Sequence, residues 1–372
     1  MKPPYEIDDT SQIYSPGLVI FRDLMVQNLE EMIRIAGGPE RLCPHCKTHK
    51  TREITQMEIE LGIKSHKCAT IAEAEMLCEV GVEDVLIAYQ LVGPNVNRLA
   101  RLMDKFPAVR FTTIVDHPVA LEHLADVMAS TPGRELDILV DLDTGMGRTG
   151  IAVGPEAIEL YEMTLSLPGV RPGGLHWYDG HNRQGDFEER KAAVNACWDQ
   201  FTRFRDQVLL SGLPVPRVVT AGTGSFPILA QKGEPNVQLS PGTTTFHDAQ
   251  MVELFPEMNF TPALAILTRV ISRNRQGHLT LDVGHKSCAA DQPAGKRLSF
   301  PDLEDAVEVQ QTEEHLVVKT DSATEFELGD DIIAIPTHAC PAVAVHQFAN
   351  IVSKGKVVDR WQIASRDRVL TV

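Results

Sequence analysis

From residue 18 to about 245, short β-rich apolar runs alternate with segments that have helical spacing. The first apolar run covers residues 17–21, and residues 22–36 are predicted to form an amphipathic helix that ends at Gly37-Gly38. Eight further β-rich runs are predicted as strands, at residues 42–49, 65–69, 85–89, 109–115, 136–142, 173–178, 217–221 and 237–240. Eight repeats of strand and helix predict a (β/α)8 barrel of the α/β class.

A doubly wound sheet is the alternative architecture for this half of the chain. Such sheets usually have fewer strands and a glycine-rich first turn, whereas the first turn here is rich in histidine and lysine. The barrel is therefore the preferred prediction.

The pattern changes after about residue 260, where strands joined by turns replace the strand-helix repeats. Strands are predicted at residues 264–272, 278–283, 315–319, 332–335 and 343–352, with Gly329-Asp330 and Lys354-Gly355-Lys356 as turns. This predicts a smaller all-β domain. The expected division is a barrel over 18–250 and a β domain formed by 1–17 and 251–372. The N-terminal strand is expected as a candidate member of the β domain, because the first barrel helix follows it.

Composition narrows the class of partner. The chain has 372 residues, 43% hydrophobic and 23% charged, which is ordinary for a globular enzyme. A formal charge of -16 argues against nucleic acid or an anionic membrane as partner, because both favour clustered Lys and Arg. Seven cysteines without a paired framework and a polar, proline-rich N-terminus predict a reducing cytoplasm.

Lys47 is the first candidate for chemistry, within Cys43-Pro44-His45-Cys46-Lys47-Thr48-His49-Lys50. Lysines are rarely buried, and the carboxyl end of a barrel strand is where barrel enzymes place their active sites. A lysine amine there can condense with an aldehyde, and pyridoxal phosphate (PLP) is the natural partner. A solvated turn explains the same segment equally well.

Two further strand ends carry candidate groups. Arg148 follows the fifth predicted strand in Asp143-Thr144-Gly145-Met146-Gly147, where it can donate to a phenolate or a carboxylate or simply pair with Asp143. The sixth strand ends in His176-Trp177-Tyr178-Asp179-Gly180-His181. Alternation puts His176 and Tyr178 on one face, so these residues and His181 are acid/base candidates. The alternative is a structural tyrosine with a surface histidine.

Glycine, serine and threonine end the seventh and eighth strands, in Ala221-Gly222-Thr223-Gly224-Ser225 and Ser240-Pro241-Gly242-Thr243-Thr244. Barrels often bind phosphate at this place through backbone N–H groups and hydroxyls. Two such loops on adjacent strands predict a phosphate site more strongly than either loop alone.

His338 and Cys340 are the candidate metal ligands in the predicted β domain. Residues at i and i+2 point the same way from a strand, and imidazole with thiolate suits Zn²⁺. For so short a motif, a buried cysteine beside a hydrogen-bonded histidine is the simpler alternative.

Together these segments resemble the D-threonine aldolase/D-serine dehydratase family, whose barrel is similar to the N-terminal domain of alanine racemase. The resemblance covers nearly the whole chain. It rests on Pro44-His45-Cys46-Lys47-Thr48-His49-Lys50, Lys67-Cys68-Ala69-Thr70, Glu73-Ala74-Glu75, Asp143-Thr144-Gly145-Met146-Gly147-Arg148-Thr149-Gly150, Ser240-Pro241-Gly242-Thr243-Thr244 and Pro336-Thr337-His338-Ala339-Cys340-Pro341.

The resemblance implies a role for each matching position. Lys47 would form the Schiff base with PLP, and Arg148 would lie near the phenolic oxygen, with Tyr178 also at the cofactor. The phosphate would be held by Gly222, Thr223, Gly224, Gly242 and Thr243, and a divalent ion, Zn or Mn, by His338 and Cys340. The resemblance also implies a homodimer acting on a small D-amino acid.

Two departures from racemases narrow the reaction. Racemases of this barrel type carry an arginine just before the last Pro-Gly of the barrel, where this chain has Ser240, and the chain has no counterpart of their second catalytic tyrosine. Racemization is therefore disfavoured. The leading expectation is D-threonine aldolase-like cleavage to glycine and an aldehyde. The alternative is D-serine dehydratase-like or D-3-hydroxyaspartate dehydratase-like elimination, which the His-x-Cys pair favours, while Gln184 stands where aldolases carry a histidine.

Two other functions fit less well. A PLP-carrier protein on the same barrel would lack the β domain and the metal pair. A metal-only hydrolase would need several ligands at strand ends, and Asp141, Asp143 and His176 are too few and too closely tied to glycine turns.

Overall fold

The computed structural model describes residues 4–130 and 135–372. The chain forms two compact units. The barrel unit contains Ile33–Lys47, Arg52–Gly242 and Asp367–Val372. The β unit contains Met1–Met32, Thr48–Thr51 and Thr243–Arg366.

The strands and helices follow each other in the order that the sequence pattern predicts for the barrel. The strands are β1 (Gly17–Phe21), β2 (Ser65–Cys68), β3 (Asp84–Ile87), β4 (Arg110–Val115), β5 (Leu136–Asp141), β6 (Val170–Trp177), β7 (Val218–Thr220), β8 (Val237–Leu239), β9 (Leu264–Ser272), β10 (His278–Leu281), β11 (Leu298–Ser299), β12 (Val307–Gln311), β13 (Leu316–Lys319), β14 (Asp331–Pro336), β15 (Phe348–Ser353) and β16 (Lys356–Gln362). The helices are α1 (Arg22–Ala36), α2 (Arg52–Glu60), α3 (Ile71–Glu79), α4 (Pro94–Lys105), α5 (Pro118–Ala129), α6 (Pro155–Ser166), α7 (Phe187–Leu210), α8 (Phe226–Ala230), α9 (Ala249–Leu254), α10 (His285–Cys288) and α11 (Ala339–Val345).

The barrel unit is built on a parallel sheet with the strand order β2-β3-β4-β5-β6-β7-β8. Cys43, Leu86, Ile114, Leu139 and Val219 form one buried apolar cluster in this unit. Neighbouring strands pair in sequence order, which is the arrangement that strand-helix repeats produce. The predicted fold class is confirmed.

The predicted first barrel strand, residues 42–49, is not a regular strand. It makes isolated parallel bridges, Leu42 with Leu239 of β8 and His45 with Lys67 of β2. The N–H groups on either side of Pro44 still pair towards β8, Cys43 with the carbonyl of Leu239 at 2.8 Å and His45 with that of Pro241 at 3.0 Å. Pro44 itself has no N–H to donate, and the chain then turns into a 3-10 helix at Cys46–Thr48. The segment therefore takes the expected place between β8 and β2 without regular strand geometry.

Helix boundaries in this unit follow local chemistry. Helix α4 starts at Pro94, where a proline's missing N–H costs nothing, and buries Val96, Leu99 and Leu102 at helical spacing. Helix α7 starts after Asp186, whose side chain accepts the N–H of Glu189 at 2.9 Å. Among the described residues, no helix has both the length and the apolar character to cross a membrane.

The β unit contains a mixed sheet with the order β12-β13-β10-β9-β1-β15-β16, and β14 pairs with both β9 and β11. Strand β1 lies inside this sheet, antiparallel to β9 and parallel to β15. The N-terminal strand thus joins the β sheet. The turn predicted at Lys354-Gly355 connects β15 and β16 as a hairpin.

Candidate functional site

Lys47 lies in the 3-10 turn Cys46–Thr48, at the carboxyl end of the irregular first barrel segment. Its backbone N–H donates to Nδ1 of His45 at 3.3 Å. The side chain is half-buried. The turn that Pro44 enforces thus places a primary amine at the end of the barrel where parallel-strand enzymes bind their ligands.

Lys67 on β2 is a second lysine of the same unit. The sequence analysis names it within Lys67-Cys68-Ala69-Thr70 but gives it no role in the site. Its side chain is buried, with 3% of the residue exposed. Its Nζ lies 3.0 Å from Nε2 of His176 and 3.0 Å from Oγ of Ser240. Burial lowers the pKa of Lys67 to about 8.

His176 on β6 points into the barrel, and Trp177 points the other way to pack on Phe201 of α7, with ring centroids 5.3 Å apart. This is the alternation that the sequence predicts. Nδ1 of His176 lies 2.6 Å from Oδ1 of Asp141 on β5. Burial and the charge of Lys67 lower the pKa of His176.

Asp141 is the carboxylate that orients this histidine. Besides His176, it accepts the hydroxyl of Thr149 at 3.0 Å. Burial raises the pKa of Asp141, but its charge interaction and hydrogen bond with His176 outweigh burial and hold the pKa below its ordinary value. Asp141 therefore carries a negative charge in the barrel at neutral pH.

Tyr178 follows β6 and has two cations close to its ring. Nζ of Lys67 is 5.2 Å and Cζ of Arg148 is 5.3 Å from its ring centroid. A side chain at position 180 would place its Cβ 2.2 Å from the tyrosine oxygen, so Gly180 leaves the room that this ring occupies. The half-buried ring and its flanking cations can bind an anionic aromatic ligand.

The loop after β5 is organised by Asp143 rather than by an Arg148–Asp143 pair. Oδ1 of Asp143 accepts the backbone N–H groups of Gly145 at 3.0 Å and Gly147 at 3.1 Å. Arg148 is exposed and lies over Tyr178. His181 is also exposed, with Nδ1 3.5 Å from the hydroxyl of Thr144.

The loop after β7 depends on a residue that the sequence analysis did not single out, the buried Asp179. Its Oδ1 accepts the N–H of Gly222 at 3.1 Å and the hydroxyl of Ser225 at 2.6 Å. Thr223 is half-buried and Gly224 is buried. The phosphate-binding role of Gly222, Thr223, Gly224, Gly242 and Thr243 stays a prediction.

His338 and Cys340 lie in the β unit, but the strand expected to carry them is wrong. His338 caps helix α11, and Cys340 lies in its first turn. Oδ2 of Asp248 accepts the N–H of Ala339 at 2.9 Å and so fixes this helix start. A helical turn, rather than strand alternation, brings the imidazole and the thiol together.

The surroundings of His338 favour positive charge. Its Nδ1 lies 2.5 Å from Oδ2 of Asp291, and Sγ of Cys340 lies 3.2 Å from the hydroxyl of Thr48. Burial lowers the pKa of His338, but Cys340, Asp291 and Asp248 together raise it to about 9. Because a cation is stabilised here and Asp291 holds Nδ1, the donor set fits a divalent ion bound through Nε2 and the thiolate.

Within the described ranges, His45, Cys46 and Glu73 are the one group of three or more potential ligands whose atoms lie within 4.8 Å of one another. Glu73 lies in the first turn of α3 and its Oε2 accepts the N–H of Ala69 at 2.6 Å. A carboxylate at a helix start is stabilised without an ion. We therefore assign this group to local structure.

Two family models match this chain, one over the barrel and one over the β-rich part. Residues 20–246 match the family model for the alanine racemase N-terminal domain. The chain belongs to that family. Within the alanine racemase N-terminal domain family it carries an additional match, over residues 263–352, to the model described as "Putative serine dehydratase domain". The expected resemblance is confirmed, and the family implies PLP as the cofactor.

Relatives in this family cover almost the whole chain. D-threonine aldolase of Arthrobacter sp is 27% identical over 98% of this chain and 96% of its own length. 3-hydroxy-D-aspartate aldolase of Paracoccus denitrificans (strain Pd 1222) is 29% identical over 97% of this chain and 94% of its own length. The crystal structure of D-threonine aldolase from Filomicrobium marinum superimposes with a TM-score of 0.88 at 28% identity, covering 95% of this chain and 96% of that one. The expected enzyme class, a lyase, is confirmed.

Proposed function

We propose that the protein is a PLP- and divalent-metal-dependent lyase that cleaves D-β-hydroxy-α-amino acids to glycine and an aldehyde. The observation that carries the proposal is Lys47, held in the turn after Pro44 in the same unit as Lys67, His176 and Tyr178. The similarity to aldolases over nearly the whole chain supports this reaction.

The residues of the barrel unit fit PLP in their chemistry. Lys47 offers a primary amine to the aldehyde, and Arg148 offers a donor to the phenolic oxygen beside the ring of Tyr178. Gly222, Thr223, Gly224, Gly242 and Thr243 are the proposed phosphate contacts. When bound, PLP supplies an electron sink for the carbanion that cleavage leaves.

His338 and Cys340 are the proposed ligands of a Zn or Mn ion. Asp291 would keep the imidazole in one orientation and one tautomer, as carboxylates do beside metal-bound histidines. The ion would supply Lewis acidity for a substrate hydroxyl.

Tyr178 and His181 are the proposed general acid/base residues. Both nitrogens of His176 already have partners, Nδ1 in Asp141 and Nε2 in Lys67. His176 therefore orients its neighbours, whereas the exposed His181 and the half-buried Tyr178 are accessible to a substrate.

Dehydration is the second candidate, because the His338-x-Cys340 pair is the one that dehydratases tend to carry. In that case the products are a keto acid and ammonia. Supplying D-threonine and D-serine separately distinguishes the two reactions. Glycine with acetaldehyde supports the aldolase, and keto acid with ammonia contradicts it.

Lys47→Ala tests the cofactor assignment. We expect this variant to lose the yellow chromophore of the lysine-bound cofactor, because no other amine occupies the same turn. Absorbance spectra of the purified variant measure the effect, and Lys64→Ala, at an exposed position, is the control that keeps it. A chromophore that survives in Lys47→Ala rules the assignment out.

Metal content tests the second site. His338→Ala should reduce bound Zn or Mn, measured by elemental analysis, whereas His123→Ala on the exposed face of α5 should not. Activity that survives chelation contradicts a metal-dependent reaction.

Setting and assembly complete the proposal. None of the seven cysteines, all of which lie within the described residues, forms a disulfide, which supports a reducing cytoplasm. The homodimer that the resemblance implies is proposed on that resemblance alone, and the oligomeric state in solution tests it.

A further inference from the structure

Lys67 is a lysine buried inside the barrel unit, near the carboxyl end of β2. Lysines are almost never buried unless partners satisfy the ammonium group. Lys67 has two such partners from distant parts of the chain, His176 from β6 and Ser240 just after β8, each at 3.0 Å. Residues from the ends of three strands thus surround one amine, which indicates a specific binding arrangement for Lys67.

The hydrogen-bond directions identify Lys67 as the donor in both contacts. Nδ1 of His176 donates to the carboxylate of Asp141 at 2.6 Å, so Nε2 presents a lone pair. The hydroxyl of Ser240 donates to a carbonyl, Thr220 at 3.0 Å or Ala221 at 3.2 Å, and its lone pair accepts. Both acceptors are neutral, and both suit an ammonium group.

Charge balance explains how this group is tolerated. Lys67 and Asp141 carry opposite charges and His176 lies between them. Burial, Lys47 and Arg148 lower the pKa of Lys67, Cys43 and Asp141 act in the opposite direction, and the net result is a pKa of about 8. The charge interaction with Lys47 shows that the two lysines lie close to one another.

We propose that Lys67 is a second functional lysine of this site, a positioning residue that holds His176 neutral through Nε2 and supplies a fixed positive charge beside Tyr178 and Lys47. Ser240 carries no charge itself, and its hydroxyl oxygen accepts a hydrogen bond from the ammonium group of Lys67. The effect on Lys47 rests on the proposed function, whereas the effect on His176 does not.

The first experiment follows His176 by NMR in the protein as purified. His176→Gln assigns its signal. In the wild type, the pKa of His176 should lie below that of a free imidazole, because burial and Lys67 oppose its protonation. Lys67→Met removes the cation and leaves Asp141 facing the ring, so the pKa of His176 should rise by about one unit or more.

Two variants keep this test decisive. Lys67→Arg keeps the charge and should leave His176 neutral. Lys67→Gln keeps an N–H donor without the charge and replaces Lys67→Met if that variant does not fold. If the neutral variants titrate like the wild type, or if Lys67→Arg titrates like Lys67→Met, the proposal is wrong.

The second experiment reads the chromophore of the purified protein against pH. Loss of a neighbouring positive charge favours the protonated form of the chromophore, so its midpoint in Lys67→Met should move up by about one pH unit. Lys64→Met, which removes an exposed lysine, should not move it. An unchanged midpoint in Lys67→Met overturns the effect on Lys47.

The two proposals fail in different ways. A chromophore retained in Lys47→Ala defeats the proposed function and leaves the His176 titration as an independent test. A chromophore lost in Lys67→Met but retained in Lys47→Ala defeats both proposals, because Lys67 would then hold the cofactor itself.

Discussion

Glu75 shows at the scale of one residue how a sequence motif can serve structure rather than chemistry. It belongs to the Glu73-Ala74-Glu75 segment that carries the family resemblance, but its side chain is buried on α3. Its carboxylate accepts from Lys105 at 2.7 Å and from the N–H and hydroxyl of Thr371. The residue ties the end of the chain to the barrel unit.

The pKa of Glu75 gives a signed prediction for acid unfolding. Burial raises this pKa, but the bonds from Lys105 and Thr371 outweigh burial and lower it from 4.5 to about 2. The stabilisation is therefore complete above pH 4.5 and is lost as the pH falls towards 2. Glu75→Gln should lower the free energy of unfolding by about 2–3 kcal/mol at pH 7.

Denaturant unfolding across this pH range measures the effect. The difference between wild type and Glu75→Gln should shrink as the pH falls from 4.5 towards 2, since in this range the unfolded chain binds a proton at Glu75 that the folded protein does not. Glu122→Gln, on the exposed face of α5, serves as the control. A difference that stays constant down to pH 2 argues against the ionised carboxylate as its source.

Candidate site residues could be predicted from the sequence where they lie at the end of a single predicted strand. Lys47, His176 and Tyr178 follow from position on the strand pattern alone. Lys67 could not be found in this way, because its partners His176 and Ser240 lie 109 and 173 positions away. Asp179 and Asp291 likewise have roles that only tertiary contacts define.

At the scale of one element, the pairing of strand β6 with its neighbours depends on Gly174. The pairing of β5 and β6 shifts register between Ile138 and Leu139, and Gly174 has a φ of 129 there. A Cβ at this position would lie 1.8 Å from the carbonyl oxygen of Arg217. Only glycine allows β6 and the start of β7 to approach this closely.

Gly174→Ala should therefore destabilise the protein by about 3 kcal/mol or more, from backbone strain and the displaced neighbouring strand. Thermal unfolding is the measurement. Gly185→Ala, where the added Cβ has open space around it, should change stability little. Equal melting temperatures for the two variants would contradict the close approach.

Elements were predicted correctly where local pattern and tertiary packing agree, as in β9, which covers the predicted range 264–272. The prediction of a strand over 343–352 was wrong in its first part, because Val343-Ala344-Val345 belongs to α11. The apolar run is typical of a strand, but the cap from Asp248 and Pro341 in the first turn favour a helix. The cap lies far away in the sequence, so the local pattern could not reveal it.

At the scale of the whole molecule, each unit is built from more separate sequence segments than the sequence pattern indicates. The barrel unit includes Asp367–Val372, although the β unit separates this segment from the rest of the barrel in the sequence. Arg98 on α4 donates to the carbonyls of Arg368 at 2.8 Å and Val372 at 3.0 Å. A segment of six residues is too short to carry a periodic signal, so its membership of the barrel unit could not be predicted.

A variant lacking residues 367–372 should melt about 5–10 °C lower than the wild type, because Glu75 and Arg98 lose partners at once. Differential scanning fluorimetry measures the shift. Adding Glu75→Gln to the truncated chain should cost less than it does in the full chain, since the two changes remove the same contacts. If the two changes lower the stability by fully additive amounts, residues 367–372 do not stabilise the protein through Glu75.

The position of this terminal segment has a consequence for synthesis. A ribosome that has completed β8 has produced every strand of the parallel sheet, yet Glu75 still lacks Thr371. The entire β unit must be translated before residues 367–372 emerge and can bind. The barrel of a nascent chain is therefore less stable than the barrel of the finished protein, and its dependence on chaperones should be greatest in that interval.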